Sequence, residues 1–350
     1  MALASAHKQF SLRALFVFVT LTCTGAASIV KLRDAQNRSR DVVDSLCEVG
    51  VFRDSDAFHD PWLWNLRYAL NGFREAPILK RYIALGKFED KHAPLFLECK
   101  GLRYLYLWSP HITDSTLQVL KEVQGLQVLD LRGSQVSSDG VALLQDHRSL
   151  CVLRLENNRI NDNAFRFICR MPHLERLSLT ESDITGRGLA DLRKCKSLWF
   201  LCLDGTGVTD SDVSHLGLCA TLTELELRHT CVTGSAFRGN GFESLEVLRL
   251  SCSMANDEGL RHISALPSLR QLSVDGTRVT DRGLNCLLDN PSLSRVSVRD
   301  TDVSSELARS YSKYLEDRDY LSAVSRRESH KESVREFRRK MKLLAPADDA

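Results

Sequence analysis

Residues Leu198–Thr221 read LWFLCLDGTGVTDSDVSHLGLCAT. Their centre, Asp204–Asp210 (DGTGVTD), brings together the glycines, threonines and carboxylates that a phosphate-binding or metal-binding loop uses. A phosphate loop occurs once, with Lys and Ser/Thr after it or with three glycines opening a helix. Here the surrounding pattern returns. Leucines open successive units at Leu102, Leu126, Leu150, Leu174, Leu198, Leu222, Leu245, Leu269 and Leu293, spaced by 24 residues except for 23 between Leu222 and Leu245. Nine units in one register mark a stacked repeat, and the glycine loop is part of each unit.

One unit reads L-x-x-L-x-L-x-x-(S/T/N)-x-(I/V)-(T/S/N), followed by an amphipathic half. The alternation in L-x-L describes a strand with one buried face. In the unit from Leu198 it turns Leu201 and Leu203 inward, and Phe200, Cys202 and Asp204 outward. The ninth position is Ser134, Asn158, Ser182, Thr206, Thr230, Ser253, Thr277 or Thr301, with Pro110 departing. Its short polar side chain suits a bond to the backbone of the turn leaving the strand and is expected to satisfy buried amides between layers. The twelfth position is Thr113, Ser137, Asn161, Thr185, Thr209, Thr233, Asn256, Thr280 or Ser304. These residue types cap helix N-termini, each at about 1 kcal/mol. The Asp that often follows, as in Thr209–Asp210, suits the positive end of the helix dipole. Val213 and Leu216 then face the core.

Ser273–Leu284, SVDGTRVTDRGL, resembles the leucine-rich-repeat family in its variety with units L-x-x-L-x-L-x-x-T-x-(I/V)-T-D-x-G-L. The resemblance covers residues 102 to about 308. It implies an α/β solenoid of about nine 24-residue units, with parallel strands on a concave face and short helices on a convex one, and it implies protein binding without catalysis. In the unit from Leu222, Asn240 and the GNG stretch break the helical pattern and one residue is missing, so a loop is expected there. Ala255 in place of Ile or Val predicts a local packing gap.

Outside the array the chain changes character. Residues 1–13 are a flank. Ala14–Val30 is a run of 17 uncharged residues, the lower limit for crossing a bilayer. A signal peptide has the same look, with Gly25–Ala27 as small residues for cleavage. Ile29 and Val30 extend the apolar run past that site, which favours an uncleaved single-pass anchor; the alternative is secretion after cleavage. Lys8 and Arg13 precede the run, whereas Lys31, Arg33, Arg38 and Arg40 follow it, which leaves the side of the soluble part open between the two flanks. The positive-inside rule places it in the cytoplasm. The run FSLRALFVFVTL is also similar to the N-terminus of membrane-anchored bacterial repeat proteins of the planctomycete kind. Residues 31–101 are expected to form a helical linker and N-terminal cap, with one helix through Trp62, Leu66, Leu70 and Phe73 and a second after Pro77 through Leu79, Tyr82 and Ile83. An F-box, which would make the protein a ubiquitin-ligase receptor, is the alternative for this segment, and no clear F-box pattern is present. Residues 309–350 are expected to be a basic helical cap or tail with Val334, Phe337, Met341 and Leu344 on one stripe; binding of anionic lipid is its alternative.

The net charge of +2 gives no global pull toward nucleic acid, which is not an expected partner. Eleven cysteines, an odd number, do not form a disulfide framework. Cys195 and Cys219 share one repeat position, so a bridge between them is conceivable. No HExxH, paired CxxC, GxSxG or Walker sequence occurs, and no cofactor or metal is expected. Asp-Gly-Thr at 204–206 and 275–277 has the look of a phosphotransferase nucleophile, but its repetition assigns it to the repeat. Function then rests on the concave face, which nine strands about 4.8 Å apart would make roughly 40 Å long. Tyr104, Tyr106 and Trp108 on the first strand, with Arg132 and Arg154 after them, are the expected hot spot for a protein or peptide. Glu156, Arg176, Glu226 and Arg228 continue the surface. The competing explanation for the aromatic trio is contact with the N-terminal cap. A soluble structural repeat protein and an enzyme with a single-copy polar pocket are the other function classes.

Overall fold

The computed structural model describes residues 51–52, 80–85, 88–99, 101–239 and 241–322. The chain divides into two compact units, Met1–Arg154 and Leu155–Ala350. The division falls inside the repeat array, away from the composition changes near residues 102 and 308. In the first unit β1 (Val51–Phe52) runs antiparallel to β2 (Lys80–Leu85), and β2 runs parallel to β3 (Leu102–Trp108). From β3 the parallel ladder continues to β4 (Val128–Asp130) and β5 (Val152–Arg154). In the second unit six parallel strands follow one another: β6 (Arg176–Ser178), β7 (Phe200–Cys202), β8 (Glu224–Glu226), β9 (Val247–Arg249), β10 (Gln271–Ser273) and β11 (Arg295–Ser297). Every one of the nine repeats supplies a strand, and from β4 on it begins at the third position. Each unit is therefore built as a leucine-rich-repeat solenoid.

The inward leucines are fully buried in all but the last repeats: Leu129, Leu153, Leu177, Leu201, Leu225 and Leu248 contact no solvent. Each such side chain contributes about 2 kcal/mol relative to leaving it in water. The second half of each repeat closes the layer from the other side with residues such as Leu189, Leu192, Val213 and Leu216.

The segment before Leu102 corrects the sequence reading. Lys80–Leu85, expected as part of a second cap helix, is a strand, and its Tyr82 and Ile83 lie in register with Leu105 and Tyr106. The array thus begins one degenerate unit earlier. Phe88, buried, takes the place of the usual Ile or Val, and Glu89 with Asp90 takes the place of Thr-Asp at the start of a short 3-10 turn, Asp90–His92. The substitutions of Phe and Glu hid this unit. The helix expected through Trp62–Phe73, Asn240, Ala14–Val30 and the stripe at 334–344 lie outside the described residues. At the other end the helix Ser305–Ser322 covers the last repeat with Leu307, Tyr311, Tyr314 and Leu315, all buried at helical spacing. It starts before the expected boundary at residue 309, because Ser304 is still a twelfth-position cap whose hydroxyl accepts from the Leu307 amide at 3.4 Å.

The turn after each strand has two fixed features. The ninth-position hydroxyl donates to a carbonyl three residues earlier: Thr206 to Leu203 at 2.6 Å, Thr230 to Leu227 at 2.7 Å and Thr277 to Val274 at 2.6 Å. It therefore serves mainly carbonyls, where amides had been expected. The eighth position is left-handed in every repeat from Gly133 to Asp300; Asn157, Glu181, His229 and Cys252 adopt φ between 53° and 57°, and Gly205 and Gly276 have φ of 64° and 65°. This bend lets the eighth amide reach the next repeat, as Gly205 N–H does to the Arg228 carbonyl at 2.8 Å.

The helical side is joined by carboxylates. Thr113, Ser137, Asn161, Asn256 and Thr280 each accept from an amide of the first turn, as expected of caps. The following Asp does more than face a dipole. Asp114 accepts from the Ser137 amide at 2.8 Å and its hydroxyl at 2.6 Å; Asp257 accepts from the same groups of Thr280 at 2.8 and 2.7 Å. Asp210 accepts from the Thr233 amide (2.9 Å) and hydroxyl (2.8 Å), and from the Gly234 (3.1 Å) and Ala236 (2.9 Å) amides. Each carboxylate thus ties its repeat to the next cap. The glycine three residues after the cap is required for this approach: a Cβ on Gly140 would overlap the Asp114 carboxylate, and one on Gly283 would overlap that of Asp257. Where Gly186 replaces the aspartate, Thr209 instead bonds Asp212 of its own repeat, amide at 3.0 Å and hydroxyl at 2.6 Å. The unit from Leu222 carries a three-residue 3-10 turn, Ser235–Phe237, in place of a helix. Its shortened course brings the Phe237 and Phe242 rings to 4.8 Å. Ala255 is fully buried.

Burial acts to raise the Asp210 carboxyl pKa, but the bonds from Thr233, Ala236 and Gly234 prevail and hold it below the usual carboxylate value. A depressed folded-state pKa gives stability that is present above pH about 4 and lost as pH falls below it. Asp210→Ala is expected to cost about 2 kcal/mol at pH 7 in urea denaturation, with the gap to the parent narrowing below pH about 4. Thr209→Ala should cost about 1 kcal/mol. At the left-handed position, Gly205→Ala is expected to cost about 1 kcal/mol, whereas His229→Gly should be neutral or stabilise by up to about 1 kcal/mol. Urea midpoints of the two variants measured side by side check the sign.

Candidate binding surface

The outward side of the strands is more enclosed than strand alternation implies. In the first unit Tyr104 and Tyr106 are 2% and 5% exposed and pack with Val128 and Val152, with Trp108 and Cys151 against this group. The expected aromatic hot spot is therefore a side-chain layer of its own, of which Trp108 remains partly exposed. Tyr106 and Trp108 meet edge to face at 6.1 Å between ring centres. Arg132 lays its guanidinium over Trp108, 4.6 Å from the ring centre. That contact adds a cation–π attraction of about 1 kcal/mol.

Arg132 and Arg154 converge on Asp130, whose side chain is fully buried. Arg132 Nε lies 3.1 Å from both carboxylate oxygens and Arg154 Nη1 lies 3.3 Å from one. Arg154, expected to be open to a partner, is 5% exposed. The correction has a simple cause. Residues at matching positions of neighbouring strands sit about 4.8 Å apart, so long side chains there cover one another.

In the second unit Glu156 accepts from the Ser178 hydroxyl at 2.9 Å. Arg176, 3% exposed, lies over the Trp199 and Phe200 rings at 4.3 and 4.2 Å and is likewise enclosed where an open surface was expected. Phe200, Cys202 and Asp204 are buried as well, against the outward exposure that alternation predicts. Glu226 is buried between two guanidinium groups, Arg228 Nη2 and Arg249 Nη1, each at 2.6 Å. Arg249 also pairs with Glu224, and Arg228 Nε reaches Asp204 at 2.7 Å. Arg228 remains partly exposed, with 42% of its side chain open to solvent. The sequence reading placed Arg228 and Glu226 on this face but missed that Asp130, Asp204 and Arg249 complete the two ion clusters. The signal was present: opposite charges occupy the fifth position of consecutive repeats, Asp130 before Arg154 and Glu226 before Arg249.

Asp204–Thr206 can now be assigned. The Asp204 carboxylate accepts from both the backbone amide and Nε of Arg228, Gly205 makes the left-handed bend, and the Thr206 hydroxyl closes onto the Leu203 carbonyl. Among the described residues one group has ligand atoms close enough to gather round a cation, Cys202, Asp204 and Glu226, all within 4.8 Å of one another. Both carboxylates are already paired with arginines. The Cys202 thiol is pushed far up, first by burial and then by the two carboxylates, so the thiolate a soft metal needs is disfavoured. The Cys195–Cys219 bridge is not formed; both are buried free thiols.

A family model described as leucine-rich repeat matches residues 170–192. Among solved structures, a leucine-rich-repeat protein of Leptospira interrogans is 19% identical with a TM-score of 0.47, over 64% of this chain and 61% of that one. An internalin of Listeria monocytogenes is 12% identical with a TM-score of 0.38, over 73% of this chain and 93% of that one. The chain thus spans less than two thirds of the Leptospira protein's length. No curated protein matches it by sequence.

Removing one member of a buried ion cluster leaves the other charge in low dielectric. Asp130→Ala is expected to cost about 3 kcal/mol, because Arg154 loses its buried carboxylate. Arg228→Ala, on a partly exposed pair, should cost about 1 kcal/mol or less. Chemical denaturation of the two variants tests the ranking.

Proposed function

We propose that this protein is a non-catalytic interaction module that binds a protein or peptide on the outward face of its strands and is held at a membrane by Ala14–Val30. The observation that carries the binding surface is the Trp108–Arg132 pair. Both side chains are partly exposed, and both are fixed from beneath by buried groups, Tyr106 for the indole and Asp130 for the guanidinium. A partner meeting them loses little side-chain entropy, and Trp and Arg are the residue types on which interface energy concentrates. On the outward side of the second unit's strands Arg228 and Glu156 offer further polar contacts, whereas Tyr104, Tyr106, Arg154, Arg176 and Glu226 act by holding their neighbours in place. Protein binding is also the use that the leucine-rich-repeat architecture suggests. The apolar run at 14–30 supports the anchor; among the described residues no helix is long and apolar enough to cross a membrane, and the run lies outside them.

Proximity labelling and pull-down with the full chain identify the partner. Trp108→Ala and Arg132→Ala are then expected to weaken binding by tenfold or more, about 1.4 kcal/mol each, while Arg187→Ala on the helical side leaves it unchanged. The reverse order would move the site off the strand face. Carbonate extraction should leave the protein with the membrane fraction, and a soluble chain beginning near Ala27 or Ser28 would replace the anchor with a secretion signal.

A further inference from the structure

The parallel ladder of the second unit ends on a strand whose outer edge is open. In the repeats from Leu222, Leu245 and Leu269 the sixth- and eighth-position amides both donate to the strand that follows. Leu227 donates to the Arg249 carbonyl at 2.8 Å and His229 to that of Ser251 at 3.1 Å. Leu250 donates to Ser273 and Cys252 to Asp275, both at 2.7 Å; Val274 donates to Ser297 at 2.9 Å and Gly276 to Arg299 at 2.8 Å. Val298 and Asp300 hold these positions in the last repeat, and Asp300 keeps the left-handed bend with φ of 53°. No repeat follows, and among the described residues neither amide has an acceptor. The helix Ser305–Ser322 closes the core with Leu307 and Tyr311 but leaves Val296 and Val298 partly exposed, whereas Leu272 and Val274, at the same positions one strand earlier, are buried.

The outward charges of this edge are unclaimed as well. Earlier arginines of the unit are engaged: Arg176 lies over aromatic rings, and Arg228 and Arg249 pair with carboxylates. Arg295 and Arg299 are exposed, and among the described residues neither guanidinium meets an acid or a ring. Comparison with Arg228 gives the reason. Asp204 accepts from the Arg228 amide and from its Nε, each at 2.7 Å. Asp275 accepts from the Arg299 amide at 2.7 Å in the same way, but its other bonds come from the hydroxyls of Ser297 (2.6 Å) and Ser273 (3.1 Å). The neighbour of Arg295 on β10 is Gln271, which carries no charge.

We propose that the free edge of β11 binds an acidic segment of a partner protein, which joins the sheet as a further strand. Such a segment supplies carbonyl oxygens to the Val298 and Asp300 amides, apolar side chains to Val296 and Val298, and carboxylates to Arg295 and Arg299. The two arginines are four residues apart on one strand, so the fitting sequence is acid, apolar, any, apolar, acid, with the acids about 13 Å apart. Asp300 and Asp302, exposed in the turn that follows, disfavour acids beyond Arg299 and limit the acidic span. Charge also separates this occupant from two others. Residues 323–350 of the chain itself hold eight Lys and Arg against five Asp and Glu, and a second copy of β11 would bring four arginines together. The edge belongs to the second unit, and its binding does not depend on the Trp108–Arg132 reading.

The test measures binding of a fluorescein-labelled peptide, Thr-Glu-Val-Thr-Val-Glu-Thr, to the full chain by anisotropy, with amide hydrogen exchange followed in parallel. The peptide is expected to bind about tenfold tighter than its counterpart with Gln for Glu, and to slow exchange at the Val298 and Asp300 amides. Arg295→Gln combined with Arg299→Gln should weaken it about tenfold, while Arg187→Gln on the helical side leaves it unchanged. Absence of binding, equal affinity for the Glu and Gln peptides, or exchange unaltered by bound peptide overturns the proposal. Slow exchange of both amides in the free protein overturns it equally: the edge is then covered by residues 323–350 if the protection is independent of protein concentration, and by a second copy if it rises with concentration.

Discussion

The aspartate that follows the caps Thr113, Asn161, Thr209 and Asn256 is the interaction on which the rest depends. A strand of three residues has too few backbone bonds to fix the position of the next layer. The carboxylate supplies that fix from the helical side, where Asp90, Asp114, Asp162, Asp210 and Asp257 each bond both the amide and the hydroxyl of the cap in the following repeat. Charge-assisted bonds of this kind are about twice as strong as neutral ones and directional. They set how far one layer lies from the next. The glycine of T-D-x-G-L leaves room for them, so three letters of the motif describe one contact between two repeats.

Fixed layer spacing has consequences on the opposite face. Outward side chains of adjacent strands are brought within reach of one another whether or not a partner is present. Arginines and carboxylates at matching positions then neutralise each other, and aromatic rings accept guanidinium groups on their faces, as Trp108 does for Arg132 and Phe200 for Arg176. The outward face of each unit is consequently a lattice with its ion pairs already made.

The irregular repeats show the same dependence by exception. Where Gly186 interrupts the aspartate ladder, a capping aspartate within the next repeat replaces it, and the helix at Thr185 gives way to a later 3-10 turn, Leu189–Lys194. In the unit from Leu222 the missing residue is absorbed by a short turn and the Phe237–Phe242 contact. Layer spacing survives both changes, as the unbroken register from β6 to β11 attests.

The sequence by itself determined the period, the strand at the third position of each repeat, the inward leucines and the Ser, Thr or Asn caps, because these are set by local pattern and by burial along one repeat. It also held the left-handed eighth position, legible in Gly133, Asn157, Gly205, Gly276 and Asp300 yet obscured by Glu181, His229 and Cys252. Tertiary structure alone decided what lies between repeats. That Asp130 would bury Arg154, that Glu226 would take Arg249, and that Lys80–Leu85 would join the ladder as a strand all follow from residues about one repeat apart in sequence meeting across a layer. Periodicity specifies each layer's own faces; the side chains that meet across a gap of about 4.8 Å are fixed only once the layers are stacked.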